Sequence, residues 1–98
     1  MFLVYVLYSR ILDQFYIGQT VDINSRIKEH NNGVYKKGFT KRTDDWQLFY
    51  SIPCNSRSIA IKIENHIKKM HSRLYLENLK KYPEISENLA DKYSKGNF

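Results

Sequence analysis

Within "FYIGQTVDINSRIKEHNNG", residues 15–33, a tyrosine and a glycine two positions apart precede an arginine and a histidine four positions apart. Hydrolysis of a phosphate ester needs an activated water, positive charge against the growing negative charge on the phosphoryl oxygens, and help for the leaving oxygen. These residue types suit those tasks. Arg26 offers a fork of donors that a lysine cannot present to a phosphate in the same geometry. His30 can exchange a proton near neutral pH, directly or as a relay with Tyr5. Tyr5 or Tyr16 would have to accept a proton, and a phenol of ordinary pKa about 10 does so only where nearby cations depress that value. Glu64 is the best-placed acid for holding a cation, because Asp13, Asp22, Asp44 and Asp45 fall in turns or at helix caps. No carboxylate cluster suggests a pair of metals, so one divalent ion, Mg²⁺ or Mn²⁺, held largely through water is expected.

Elements must aim these side chains. "FLVYVLY" (2–8) is β-branched and aromatic on both alternating faces, which predicts a strand covered on both sides. The polar "SRILDQ" has hairpin length, and "FYIGQ" (15–19) supplies a second strand, most simply antiparallel to the first. Phe15 and Ile17 share one face and Tyr16 and Gly18 the other, so a suitable register puts Tyr16 on the side of Tyr5. Gly18 reads as a bulge or a point of close packing. Thr20 or Asp22 can cap a helix over about 22–32 that stops at Asn32-Gly33, with Ile23 and Ile27 as its apolar stripe and Arg26 and His30 as the adjacent one. Lys36, Lys37, Lys41 and Arg42 then fall in an exposed basic loop, and "WQLFYSI" (46–52) alternates Trp46, Leu48, Tyr50 and Ile52 against Gln47, Phe49 and Ser51 as a third strand. Ser56 caps a second helix running to about His71, whose stripe of Ile59, Ile63, Ile67 and Met70 leans on the sheet. Glu64 is its sole acid, at the edge of that stripe. A third helix over 73–81 and a fourth with Pro83 in its first turn complete the chain.

Ninety-eight residues suggest one domain, 1–98, with a core over about 2–80 and a helical extension over about 83–95. Fourteen basic and seven acidic residues precede Pro83, against two and three after it, so the body is cationic and favours a polyanion such as nucleic acid. A lone cysteine excludes a disulfide framework and a cysteine-based zinc site, and fits a reducing, cytoplasmic setting. The apolar run at the N-terminus is too short for a signal peptide or a membrane span, so no membrane partner is expected.

Tyr5, the literal "YIG" at 16–18, "RIKEH" at 26–30 and "AIKIENHIKKM" at 60–70 resemble, in order and element type, the GIY-YIG endonucleases over roughly residues 2–80. The nearest likeness is to the small stand-alone bacterial members, some named after the nuclease subunit of excision repair. "LVY" at 3–5 stands in place of "GIY", keeping the tyrosine and losing the glycine. A C-terminal asparagine of some larger relatives has no clear counterpart here, with Asn78 and Asn88 as candidates. The resemblance implies an α/β (α+β) fold, a three-stranded antiparallel sheet flanked by helices. It also implies a catalytic set of Tyr5, Tyr16, Arg26, His30 and Glu64, with Tyr5 as the base, Glu64 as the metal ligand and Gly18 as a structural part of the motif. These side chains are expected around one concave surface on one face of the sheet. The function implied is metal-dependent hydrolysis of DNA phosphodiester bonds, directed by structure and linked to repair or recombination, with RNA left open as a substrate. Lys36, Lys37, Lys41, Arg42 and Lys68 would hold backbone phosphates. A protein partner could add specificity, since a chain this short holds no separate sequence-reading domain. The alternative is a nucleic-acid-binding module of the same fold with little or no catalysis; a protein-interaction domain using the C-terminal helices is a third reading.

Overall fold

A computed structural model describes residues 1–33, 42–70 and 72–95, with the side chain of Lys95 left aside. Its central strand is β1 (Phe2–Ser9), flanked by β2 (Gln14–Thr20) and β3 (Gln47–Cys54) in an antiparallel sheet of order β2-β1-β3. The reading of a doubly covered first strand holds: Val4, Tyr5, Val6 and Leu7 are each exposed by 1% or less. Their alternation sends Tyr5 and Leu7 to one face and Val4 and Val6 to the other. Helix α1 (Ile23–Asn31) covers the first face, where Ile23 and Ile27 pack against Tyr5, Leu7 and Trp46. Helices α2 (Arg57–Met70), α3 (Arg73–Lys81) and α4 (Pro83–Lys95) cover the second, where Ala60, Ile63, Ile67, Leu76, Leu79 and Leu89 join Val4 and Val6 in the larger core. Leu89 makes α4 a contributor to that core. Two hydrogen bonds fix the helix further, Tyr50 Oη to Ser86 Oγ at 2.9 Å and His66 Nδ1 to Tyr93 Oη at 2.8 Å.

The third strand departs from strict alternation. Val6 pairs with Tyr50 but Leu7 pairs with Leu48, which leaves Phe49 as the extra residue of a β-bulge. Trp46 therefore stays with Tyr5 and Leu7, while Tyr50 and Ile52 pass to the Val4 face instead of sharing the side of Trp46. The gain is packing: Phe49 meets Phe15 edge-on at 5.0 Å against the larger core.

Polar side chains fasten the ends. Asn31 completes α1 by donating to Trp46 O at 3.0 Å and accepting from Trp46 N at 2.7 Å, so one amide substitutes for a strand neighbour. Asp45 accepts from Ser9 Oγ at 2.6 Å, Thr43 Oγ1 at 2.7 Å and Ile11 N at 3.0 Å, tying the hairpin turn to the approach to β3. Asp13, with φ of 51°, closes the turn in the left-handed region, and its carboxylate is held by the Tyr8 hydroxyl and by Arg73 at 2.5 Å. Arg73 thereby pins α3 to the hairpin, its guanidinium lying 5.3 Å from the Phe15 ring centre. Among the described residues, no helix is long and apolar enough to cross a membrane.

Candidate active site

The site is built from the far end of β2. Thr20 Oγ1 accepts from Asp22 N at 3.1 Å, and Asp22 caps α1 through Ser25 N at 3.1 Å, so strand turns into helix within two residues. Its cap bonds to Ser25 hold the Asp22 carboxyl below the usual range. Arg26 donates its backbone N–H to Asp22 O at 3.1 Å, which places it in the first turn beside the end of β2. His30 follows one turn deeper, 2% exposed.

Tyr5 pairs directly with Gly18 across the strands. Its ring lies over that glycine: a Cβ on residue 18 would stand 2.5 Å from Tyr5 Oη and 2.7 Å from Cζ. Gly18 is thus a close-approach glycine and not a bulge. Tyr5 Oη reaches His30 Nε2 at 2.9 Å, and the Tyr16 ring lies tilted beside both, its centre 4.8 Å from that of the imidazole and 6.4 Å from that of the Tyr5 ring. Burial, with the Arg26 charge as a second cause, pushes the His30 pKa down to about 4. The imidazole is neutral at physiological pH.

A cavity of about 390 Å³ opens here, and Tyr5, Tyr16, Gly18, Arg26, Arg57 and Glu64 are among its lining residues. The expectation that the set shares one face of the sheet is corrected. Tyr5, Tyr16 and Gly18 belong to the α1 face, but the apolar stripe of α2 packs on the opposite face with Val4 and Val6. β2 is an edge strand, so α1 brings Arg26 to its border from one side and α2 brings Glu64 from the other. The cavity wraps the border. His30 does not line it but stands behind Tyr5, so any part it plays passes through that hydroxyl.

Arg57 was not among the residues expected from sequence. It opens α2 seven residues before Glu64, two helical turns away on the same face, and that spacing was the available signal. Arg42 lies elsewhere, lining a separate hollow with Asn31, Asn32 and Thr43. Lys36, Lys37 and Lys41 fall outside the described residues. Lys68 donates to Glu64 Oε2 at 2.6 Å. Asn78 and Asn88 do not line the cavity.

Glu64 has a side chain 15% exposed, and the Lys68 ammonium beside it stands in for a cation. Among the described residues, no group of three or more His, Cys, Asp or Glu could cage a metal ion. A single carboxylate facing an open, polar cavity fits a hard divalent ion that keeps most of its waters and completes its shell with a phosphate.

The family model described as the GIY-YIG catalytic domain matches residues 1–81. A UPF0213 protein from Syntrophus aciditrophicus (strain SB) is 38% identical over 69 residues, covering 70% of this chain and 79% of that protein. No solved structure matches the chain. With "YIG" on the border strand, the arginine on the helix that follows it and the glutamate on α2, the chain belongs to the GIY-YIG family, a family of endonucleases.

Proposed function

We propose that the protein is a divalent-metal-dependent endonuclease that hydrolyses DNA phosphodiester bonds, choosing its substrate by shape, in repair or recombination. One observation carries this reading: two guanidinium groups, two phenols and one carboxylate line a single cavity at the border of β2. Arg26 and Arg57 bind the phosphoryl oxygens of the scissile group and offset the charge that builds on them. Glu64 would hold Mg²⁺ or Mn²⁺, which would supply further positive charge for the phosphoryl and leaving oxygens. Tyr5 Oη takes a proton from the attacking water as its own proton passes to His30 Nε2, the acceptor of that hydrogen bond in the Nδ1–H tautomer. The water oxygen then bonds to phosphorus as the P–O bond to the leaving oxygen breaks. Bound phosphate compensates the Arg26 charge, one of the two causes that depress the His30 pKa, and so makes the imidazole a better acceptor when substrate is present.

The second reading, a nucleic-acid-binding module without catalysis, is favoured by the Lys68 ammonium already seated on Glu64. Glu64→Gln and Arg26→Lys separate the two. In assays of branched, flapped and plain duplex DNA with Mg²⁺ or Mn²⁺, Glu64→Gln should abolish cleavage while binding persists. Arg26→Lys should bind nearly as well and turn over on the order of a hundredfold more slowly. Wild-type protein that binds these DNAs but cuts none of them establishes the binding module instead.

A further inference from the structure

A second groove, about 790 Å³ in volume, runs between α2 and α4. Lys62, Lys68, Lys69 and Lys92 line it, with His66 and Tyr93 between them, and no carboxylate is among its lining residues. The acids of α4, Glu84, Glu87 and Asp91, are exposed and are not among its lining residues. The His66–Tyr93 hydrogen bond at 2.8 Å braces the two helices at this groove. Burial, Lys92 and Lys69 together lower the His66 pKa, so the groove holds its positive charge on the lysines and not on the imidazole. Lys68 joins this groove to the cavity at β2, since its ammonium holds Glu64 at 2.6 Å.

We propose that the α2/α4 groove binds the phosphate backbone of nucleic acid, holding the stretch that flanks the bond presented to the β2 cavity. This rests on the nuclease reading above. Compact ammonium charges spread along two helices suit successive phosphates of a polyanion, whereas a single phosphate calls for donors converging on one point. Contacts to phosphate oxygens carry no sequence information, so the groove adds affinity and register without sequence preference. The substrate thus crosses α2, from Arg57 and Glu64 over Lys68 toward Lys92.

The test measures binding of a short labelled DNA duplex as a function of salt, in a chelator so that no bond is cut. Replacing Lys62, Lys69 and Lys92 together with alanine should weaken binding at least about tenfold near 0.1 M salt and make the slope of log K against log salt shallower by about 2 to 3. Arginine at the same three positions should restore both. Alanine at Lys28, Lys80 and Lys81, which removes the same charge away from the groove, should leave the slope unchanged. If the two alanine triples behave alike, only the overall field matters and the groove assignment is overturned. If the groove triple loses binding to anionic phosphatidylserine vesicles but not to DNA, the groove belongs to a membrane surface and the proposal is again overturned. Wild-type protein that binds no DNA at any salt overturns the nuclease reading together with the groove, whereas wild-type cleavage with an unaltered groove triple overturns the groove alone.

Discussion

Tyr5 and Gly18 act as one unit, because the ring of the first occupies the space where a side chain on the second would be. Tyr5 is buried against Leu7 and Trp46 and bonded to His30, so its ring has nowhere to swing. Gly18→Ala should therefore cost about 1–3 kcal/mol in a urea melt and displace the Tyr5 hydroxyl, lowering any cleavage activity with it. A melt unchanged from wild type would mean that the ring yields freely. His30 sets a pH dependence of defined sign. Its folded pKa of about 4 lies below the ordinary 6.5, so the unfolded chain takes up its proton first as the medium acidifies. The stability it confers is complete above pH 6.5 and is lost as pH falls toward 4, a difference on the order of 3 kcal/mol. Depressed His66 adds loss of the same sign, so the comparison is between wild type and His30→Gln, measured across that window. Activity should follow the same group: the acid limb of kcat/KM should fall near pH 4 and not near 6.5, and the limb of kcat should lie higher, where bound phosphate offsets Arg26. Arg57 shows what residue-level reading passes over. A charged residue opening a helix is ordinary surface, and only the two-turn spacing to Glu64 distinguishes it.

At the scale of elements, the strands and helices were legible because each carries its period and its stop. β1 is apolar on both faces, Asp22 and Ser56 supply cap oxygens, and Gly33, at φ of 70°, ends the first helix. Two features were not legible. The bulge at Phe49 adds one residue to a strand whose composition still alternates, and composition does not record pairing. The placement of α2 on the face opposite Tyr5 depends on which face its stripe chooses, and both faces of β1 are apolar. Of the expected set, Tyr5, Tyr16, Gly18, Arg26 and Glu64 line one cavity while His30 stands behind Tyr5, and that cavity lies at a border reached from both sides instead of on one surface. Asn31 offers an element-scale test. Asn31→Ala removes both bonds that its amide makes to Trp46 N and O and should cost about 1–3 kcal/mol. The loss should appear in a denaturant melt, and amide exchange should quicken at Trp46 before it quickens in β1, since the two bonds join α1 to the approach to β3.

Over the whole molecule, a formal charge of +6 favours long-range attraction to a polyanion. We propose that Lys36, Lys37, Lys41 and Arg42 add to it, and alanine at all four should weaken DNA binding and flatten its salt dependence. An unaltered slope would put the backbone track wholly on the helices.

The border position of the cavity has a topological consequence. Among the described residues no strand pairs with the outer edge of β2, so a phosphodiester can be laid against the cavity from the flank without being threaded through a channel. A substrate then needs no free end. Covalently closed circular DNA should be nicked at a rate comparable to that of the same sequence made linear, as read by conversion of supercoiled circles to the relaxed form. A requirement for ends would mean that the chain is entered lengthwise and that the open flank of β2 is covered when substrate binds.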